Sequence, residues 1–214
     1  EIELHRVALG GSQAVSQLHF GGGSPTFLSD AELAGLMASL ARAFSFVPDA
    51  EISIEVDPRT VDAGRLASLR QMGFNRISFG VQDFDPAVQK AVHREQSEAM
   101  VRSLVEHARA LGFASINTDL IFGLPLQTPA SFARTVQSIC ELRPDRIALY
   151  AYAHLPQRFK PQRRILSADL PVAAERVQML QGAIEGFLGR GYRYIGMDHF
   201  ALPDDALAVA QQQG

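Results

Sequence analysis

Apolar residues along this chain follow two spacings that succeed each other in turn. Alternation and short apolar runs predict strands at 17–20, 51–56, 76–81, 115–121 and 146–151. Between these runs the apolar positions recur every three or four residues. Leu33, Leu36, Met37, Leu40 and Ala41 form such a stripe within 30–43, with Ser29 placed to cap it. The same spacing predicts helices at 61–72, ended by Gly73, at 97–111, capped by Ser97, and at 129–142, stopped ahead of Pro144. A longer helix is predicted at 169–188. Residues 1–4 carry no helix-start signal and residues 211–214 no terminal element, so both ends read as cut from a longer chain.

Strand and helix in this order predict five parallel βα units, compatible with a barrel or an open doubly wound sheet. The strand faces favour the barrel. Ser53 and Glu55 share one face, as do Ser78, Gly80 and Gln82, and again Asn117 and Asp119. The intervening Ile52, Ile54, Ile77, Phe79, Val81, Ile116 and Leu120 suit packing beneath helices. Glu55, Gln82 and Asp119, the most polar of their sets, stand at the carboxyl ends, where parallel α/β folds bind ligands. Strand-end polar residues can also simply cap the following helix. After 154 the rhythm breaks at Pro156, Pro161 and a basic run. The expectation is therefore an α/β fold, a partial (β/α) TIM-like barrel over 1–154, with a second, carboxy-terminal region beginning at 155.

Composition narrows the chemistry. Of 214 residues, 47% are hydrophobic and 20% charged, enough apolar material for a substantial core. A net charge of −3 gives no reason to expect nucleic acid or an anionic membrane as partner. No apolar run could span a bilayer and no signal peptide opens the chain, so a cytoplasmic location is expected. The single cysteine, Cys140, excludes an internal disulfide and any cluster ligated by cysteines of this chain alone. It falls mid-helix, where a small buried hydrophobe is expected. His19, His93, His154 and His199 show no i, i+4 pairing, and no metal site is expected.

The sharpest local signal is Gly21-Gly22-Gly23-Ser24-Pro25-Thr26, directly after a strand. Three glycines let a ligand approach the backbone, and two hydroxyls stand beside them. Neither the phosphate-loop Gly-Lys-Ser/Thr nor the Gly-x-Gly-x-x-Gly fingerprint is present, and a tight turn fixed by Pro25 is an equally open reading. This loop, together with Ile-Glu-Val-Asp-Pro around Glu55 and Ser-Phe-Gly-Val-Gln-Asp-Phe from Ser78, resembles landmarks of radical S-adenosylmethionine (SAM) enzymes. Further stretches narrow the resemblance: Val-Gln-Lys-Ala-Val-His-Arg-Glu-Gln from Val88, Asn-Thr-Asp-Leu-Ile-Phe-Gly-Leu-Pro from Asn117, Tyr-Ala-His-Leu-Pro from Tyr152 and Gly-Met-Asp-His-Phe-Ala from Gly196. Together they are similar to the oxygen-independent coproporphyrinogen III oxidase family along nearly the whole chain.

The resemblance implies two bound SAM molecules. Gly22 and Glu55 match positions contacting the first; Gly23, Ser24, Gln82, Arg94, Asp119 and Ala153 match positions contacting the second. The residue types suit this: carboxylates accept from ammonium or ribose hydroxyl groups, and a guanidinium pairs with a carboxylate in a fork. The resemblance also implies a 4Fe–4S cluster on a Cys-x-x-x-Cys-x-x-Cys loop, a motif absent from this chain, so a fragment inactive alone and an exposed edge at 17–20 are expected. For the whole protein it implies oxidative decarboxylation of coproporphyrinogen III to protoporphyrinogen IX in haem synthesis, by a monomer served by an electron-donor protein; it assigns no catalytic residue. The basic run Arg158, Lys160, Arg163 and Arg164 could hold propionates or be a solvated surface. Two rival functions stand beside this one: a haem-carrying paralogue, against which the Met-Asp-His-Phe stretch at 197–200 argues, and an unrelated phosphate-binding α/β enzyme.

Overall fold

The computed structural model describes residues 1–214. In chain order the elements are α1 (Ile2–Ala8), β1 (Ala14–Phe20), α2 (Asp30–Ala43), β2 (Ser45–Val56), α3 (Ala63–Gln71), β3 (Arg76–Gln82), α4 (Pro86–Ala91) and α5 (Glu98–Ala110). They continue as β4 (Ser115–Phe122), α6 (Pro129–Leu142), β5 (Arg146–Ala151), α7 (Ala173–Gly189), β6 (Arg193–Gly196), β7 (His199–Ala201) and α8 (Ala206–Gln213). The strand order is β1-β2-β3-β4-β5-β7-β6. The chain divides into two compact units, residues 1–79 with 106–116, and residues 80–105 with 117–214.

In the first unit β1, β2 and the start of β3 pair in parallel, with His19 opposite Ser53 and Glu55 opposite Ser78. β1 pairs only with β2 and is an edge, as expected. Ser29 caps α2 in a full capping box with Glu32, and Asp62 caps α3. Leu33, Ile54, Leu66, Leu69, Phe74 and Phe79 are completely buried, and the Phe20 and Phe74 rings meet edge to face at 5.2 Å. Ser53 and Glu55 alternate with buried Ile54 and Val56, so the polar face read from the sequence is real.

In the second unit β4 and β5 are parallel, while β7 and β6 add antiparallel strands beside β5. Phe187 of α7 packs against Phe200 of β7 at 5.0 Å, and Tyr192 donates its hydroxyl hydrogen to the Pro144 carbonyl at 2.7 Å. Arg146 and Asp205 form a partly buried ion pair at 2.8 Å. No helix is long and apolar enough to cross a membrane.

Several expectations need correction. The ends are not bare: α1 forms over residues with no capping side chain, aided by an Arg6–Glu3 pair, and α8 reaches Gln213 from an Asp205 cap. β1 and β2 begin earlier than 17 and 51; a bulge between Val15 and Gln17 and Pro48 within β2 hid the period-two pattern. The helix expected at 169–188 starts only at Ala173, because Pro171 has no N–H and disfavours helix at Leu170 before it. α4 was not expected; Asp85 caps it and Pro86 opens it. The β6–β7 hairpin was missed too. Its two-residue turn is Met197-Asp198, both with positive φ (47° and 65°), where a sequence reader looks for Asn-Gly or Asp-Gly.

Candidate cofactor site

In the first unit the carboxyl ends of β1 and β2 bring the glycine loop to Glu55. The Gly22 amide donates to Glu55 Oε2 at 3.3 Å. Gly22 and Gly23 have φ of +75° and +115°, a region L side chains rarely enter. At Gly21 a Cβ would lie 2.5 Å from His19 Nε2 and 2.8 Å from Glu55 Oε1, so both side-chain ends would have to shift to admit it. The Glu55 side chain stays 40% exposed, so its carboxylate is held on the protein side and open on the other. Ser24 is exposed and its hydroxyl caps nothing. Thr26 and Thr60 hydroxyls lie 3.2 Å apart.

In the second unit Gln82 and Arg94 line one cavity of about 230 Å³ with Tyr152, Ile121 and Gln162. Gln82 sits at φ +67°, and the Asp83 amide bonds back to the Val81 carbonyl at 2.9 Å, closing a three-residue turn around it. Arg94 donates to the Gly80 carbonyl at 3.1 Å. Burial raises the Tyr152 phenol above its ordinary pKa. Asp83 is 1% exposed; burial pushes its pKa up, while hydrogen bonds from the Asp85 amide, Thr135 and Gln127 pull the other way. Asp119 and Ala153 do not line this cavity. Asp119 instead accepts from Asn117 Nδ2 at 2.7 Å, and the Ala153 carbonyl accepts from Gln162 Nε2 at 3.0 Å. Arg176 reaches the Tyr152 carbonyl at 2.9 Å, passing where a side chain on Gly123 would lie.

The expected residues thus gather as Gly22 with Glu55, and Gln82 with Arg94. The sequence reading gave no site role to His19, Tyr152 or Gln162, and named Gly21 only within the glycine loop and Ser53 only as sharing a face with Glu55. His19 was legible in principle: polar Gln17 and His19 alternate on β1 as Ser53 and Glu55 do on β2. The basic run splits: Arg164 lines the cavity, whereas Arg158 lies over the Phe159 ring and Arg163 bonds the Pro156 carbonyl. All four are exposed.

The cradle fits a cationic amino-acid nucleoside: a backbone amide, an open carboxylate and a Cβ-free approach. An iron–sulfur cluster does not fit this chain. Cys140 is buried in α6, with Sγ 3.9 Å from the Gly186 carbonyl and a pKa raised by burial, and no three metal-ligating side chains converge.

The radical SAM superfamily matches residues 3–139, and the chain belongs to it. It is 54% identical to the oxygen-independent coproporphyrinogen III oxidase of Pseudomonas aeruginosa over 100% of this chain and 47% of that protein. Against the Escherichia coli K12 enzyme of the same name the identity is 53%, over 99% of this chain and 46% of that one. The solved structure of coproporphyrinogen III oxidase (HemN) from Escherichia coli, a radical SAM enzyme, superposes with a TM-score of 0.94 at 52% identity, covering 99% of this chain and 49% of that chain. The expected α/β fold of the radical SAM type is therefore the one observed. The chain spans about half the length of the curated relatives it matches.

Proposed function

We propose that this chain is the cofactor-binding part of an oxygen-independent coproporphyrinogen III oxidase. The observation that carries the reading is the contact between the Gly22 amide and Glu55, beside the Cβ-free approach at Gly21. Its support is the 53–54% identity to curated enzymes of that name across essentially the whole chain.

In this reading Gly22 and Glu55 hold the first SAM molecule, Glu55 accepting from its ammonium or ribose hydroxyls. Gly23, Ser24, Gln82, Arg94, Asp119 and Ala153 serve a second one, Arg94 meeting its carboxylate. The common cavity of Gln82 and Arg94 supports this second role. Bound SAM supplies the hydrogen-abstracting chemistry that begins oxidative decarboxylation of a propionate side chain. The cluster's three thiolates would come from outside this chain, whose one cysteine is the buried Cys140. Coproporphyrinogen III is the substrate, an electron-donor protein the partner, the working unit a monomer and the location cytoplasmic. Residues 1–154 carry the cofactor contacts, and the region from 155 borders the substrate side.

The test uses the cluster-bearing protein. Glu55→Ala is expected to abolish SAM cleavage while iron and sulfide content stay unchanged. Undiminished cleavage would remove Glu55 from the site.

A further inference from the structure

His19 is absent from the contacts that the family resemblance carries over, yet its ring lies between two groups of β2. Nδ1 is 2.7 Å from Ser53 Oγ, and Nε2 is 3.2 Å from Glu55 Oε1. Ser53 is its direct register partner across the parallel ladder, so the reach to Glu55, two residues on, runs along the strand toward the ligand end. The missing Cβ of Gly21 would touch both members of the His19–Glu55 contact. Positions 19, 21 and 55 are thus matched to one another.

We propose that His19 is a positioning residue for Glu55, acting as a neutral imidazole that donates from Nε2 to Oε1 while Nδ1 accepts from the Ser53 hydroxyl. For a neutral ring this tautomer turns an N–H toward the carboxylate oxygen, and it takes the Ser53 hydroxyl hydrogen from its other acceptor, the Leu18 carbonyl at a long 3.4 Å. Its alternative sets two lone pairs, on Nε2 and Oε1, against each other. With Oε1 engaged by His19 and Oε2 by the Gly22 amide, the carboxylate can no longer swing about its side-chain torsions. Its remaining lone pairs then present one fixed face to a ligand. This inference rests on the reading of Glu55 as a cofactor ligand and adds what fixes that ligand in place.

The experiment has two arms on the 214-residue chain. Long-range ¹H–¹⁵N spectra of the labelled chain, assigned through the signal lost in His19→Gln, are expected to show His19 protonated on Nε2 alone near neutral pH. Glu55→Gln is expected to abolish that preference. An Nδ1-protonated ring, or a preference indifferent to Glu55→Gln, overturns the proposal. In the second arm equilibrium dialysis measures SAM binding, with circular dichroism as the check on folding. His19→Gln, whose amide N–H takes the place of Nε2–H, is expected to bind within about threefold of the parent. His19→Asn, which mimics Nδ1 and falls short of Glu55, and His19→Phe are expected to bind about tenfold more weakly, the scale of one lost hydrogen bond to a charged group. Equal binding by all three folded variants overturns the proposal, because a purely structural histidine would not separate Gln from Asn. If the parent chain binds no SAM, the proposed function fails on its own, and the tautomer arm alone decides the His19–Glu55 pairing.

Discussion

Asp83 offers the most demanding test of how the second unit holds Gln82 in place. Its carboxylate is 1% exposed and accepts from Thr135 Oγ1 at 2.7 Å, from the Asp85 amide at 2.7 Å and from Gln127 Nε2. Asp83→Ala removes all three acceptor contacts. The Thr135 hydroxyl can rotate elsewhere, but the part-buried Asp85 amide and one buried Gln127 N–H are left without a partner. At roughly 1–3 kcal/mol per orphaned donor, less the relief from no longer burying a carboxylate, a loss of about 2–4 kcal/mol follows. Asp83→Asn should rescue little, at about 2 kcal/mol lost. Its new NH₂ would face the Gln127 NH₂, and Gln127 is not free to turn, since its Oε1 accepts from the Gly123 amide at 2.5 Å and the Leu124 amide at 3.2 Å. Urea unfolding followed by circular dichroism reads both variants. A change below about 0.5 kcal/mol in either would mean that these contacts do not hold the turn at Gln82.

The pH dependence of the same site has a definite sign. Burial places the folded-state pKa of Asp83 above its ordinary value of 3.8, so the folded chain holds that proton more tightly than the unfolded one. The corresponding stability is complete below the ordinary value and is lost as pH rises through the folded one.

The stability gap between the parent and Asp83→Asn is expected to shrink from pH 4 toward pH 7 in urea titrations, and a widening gap would reverse the sign. Gly123→Ala places a Cβ 2.8 Å from Arg176 Nε at φ +84°, and is expected to lower stability by about 2 kcal/mol. About 1 kcal/mol of that should remain in an Arg176→Ala background, so equal losses in both backgrounds would count against the steric account. Cys140 should resist alkylation by iodoacetamide until the chain is unfolded in urea; rapid reaction in the native state would contradict its burial.

What could be read from the sequence was what is local and repeated. Alternation put Glu55, Gln82 and Asp119 on the polar face of their strands because Ile54, Phe79 and Leu120, all buried, seal the other; Asp119, expected at a carboxyl end, instead lies mid-strand in β4. Ser29, Ser97 and Gly73 marked helix ends through chemistry that acts over three or four residues. What escaped depends on partners distant in sequence. The His19–Glu55 contact spans 36 residues and needs the register of β1 on β2, while Gln127 reaches Asp83 across 44. The Met197-Asp198 turn escaped because its positive φ values are imposed by β6 and β7 pairing and not by glycine. The tie from Gln162 to Ala153 was illegible for the same reason, since a strap of 3₁₀ turns has no period to read.

In the proposed cradle, backbone amides of the glycine loop and the Glu55 carboxylate receive SAM. The chain holds 17 glycines, few enough to resolve as amide signals after selective ¹⁵N-glycine labelling. On titration with SAM, the Gly22 and Gly23 signals are expected to shift together and saturate, with the response abolished in Glu55→Ala. Signals at Gly22 and Gly23 that ignore SAM, or that move instead with inorganic phosphate, would contradict the account.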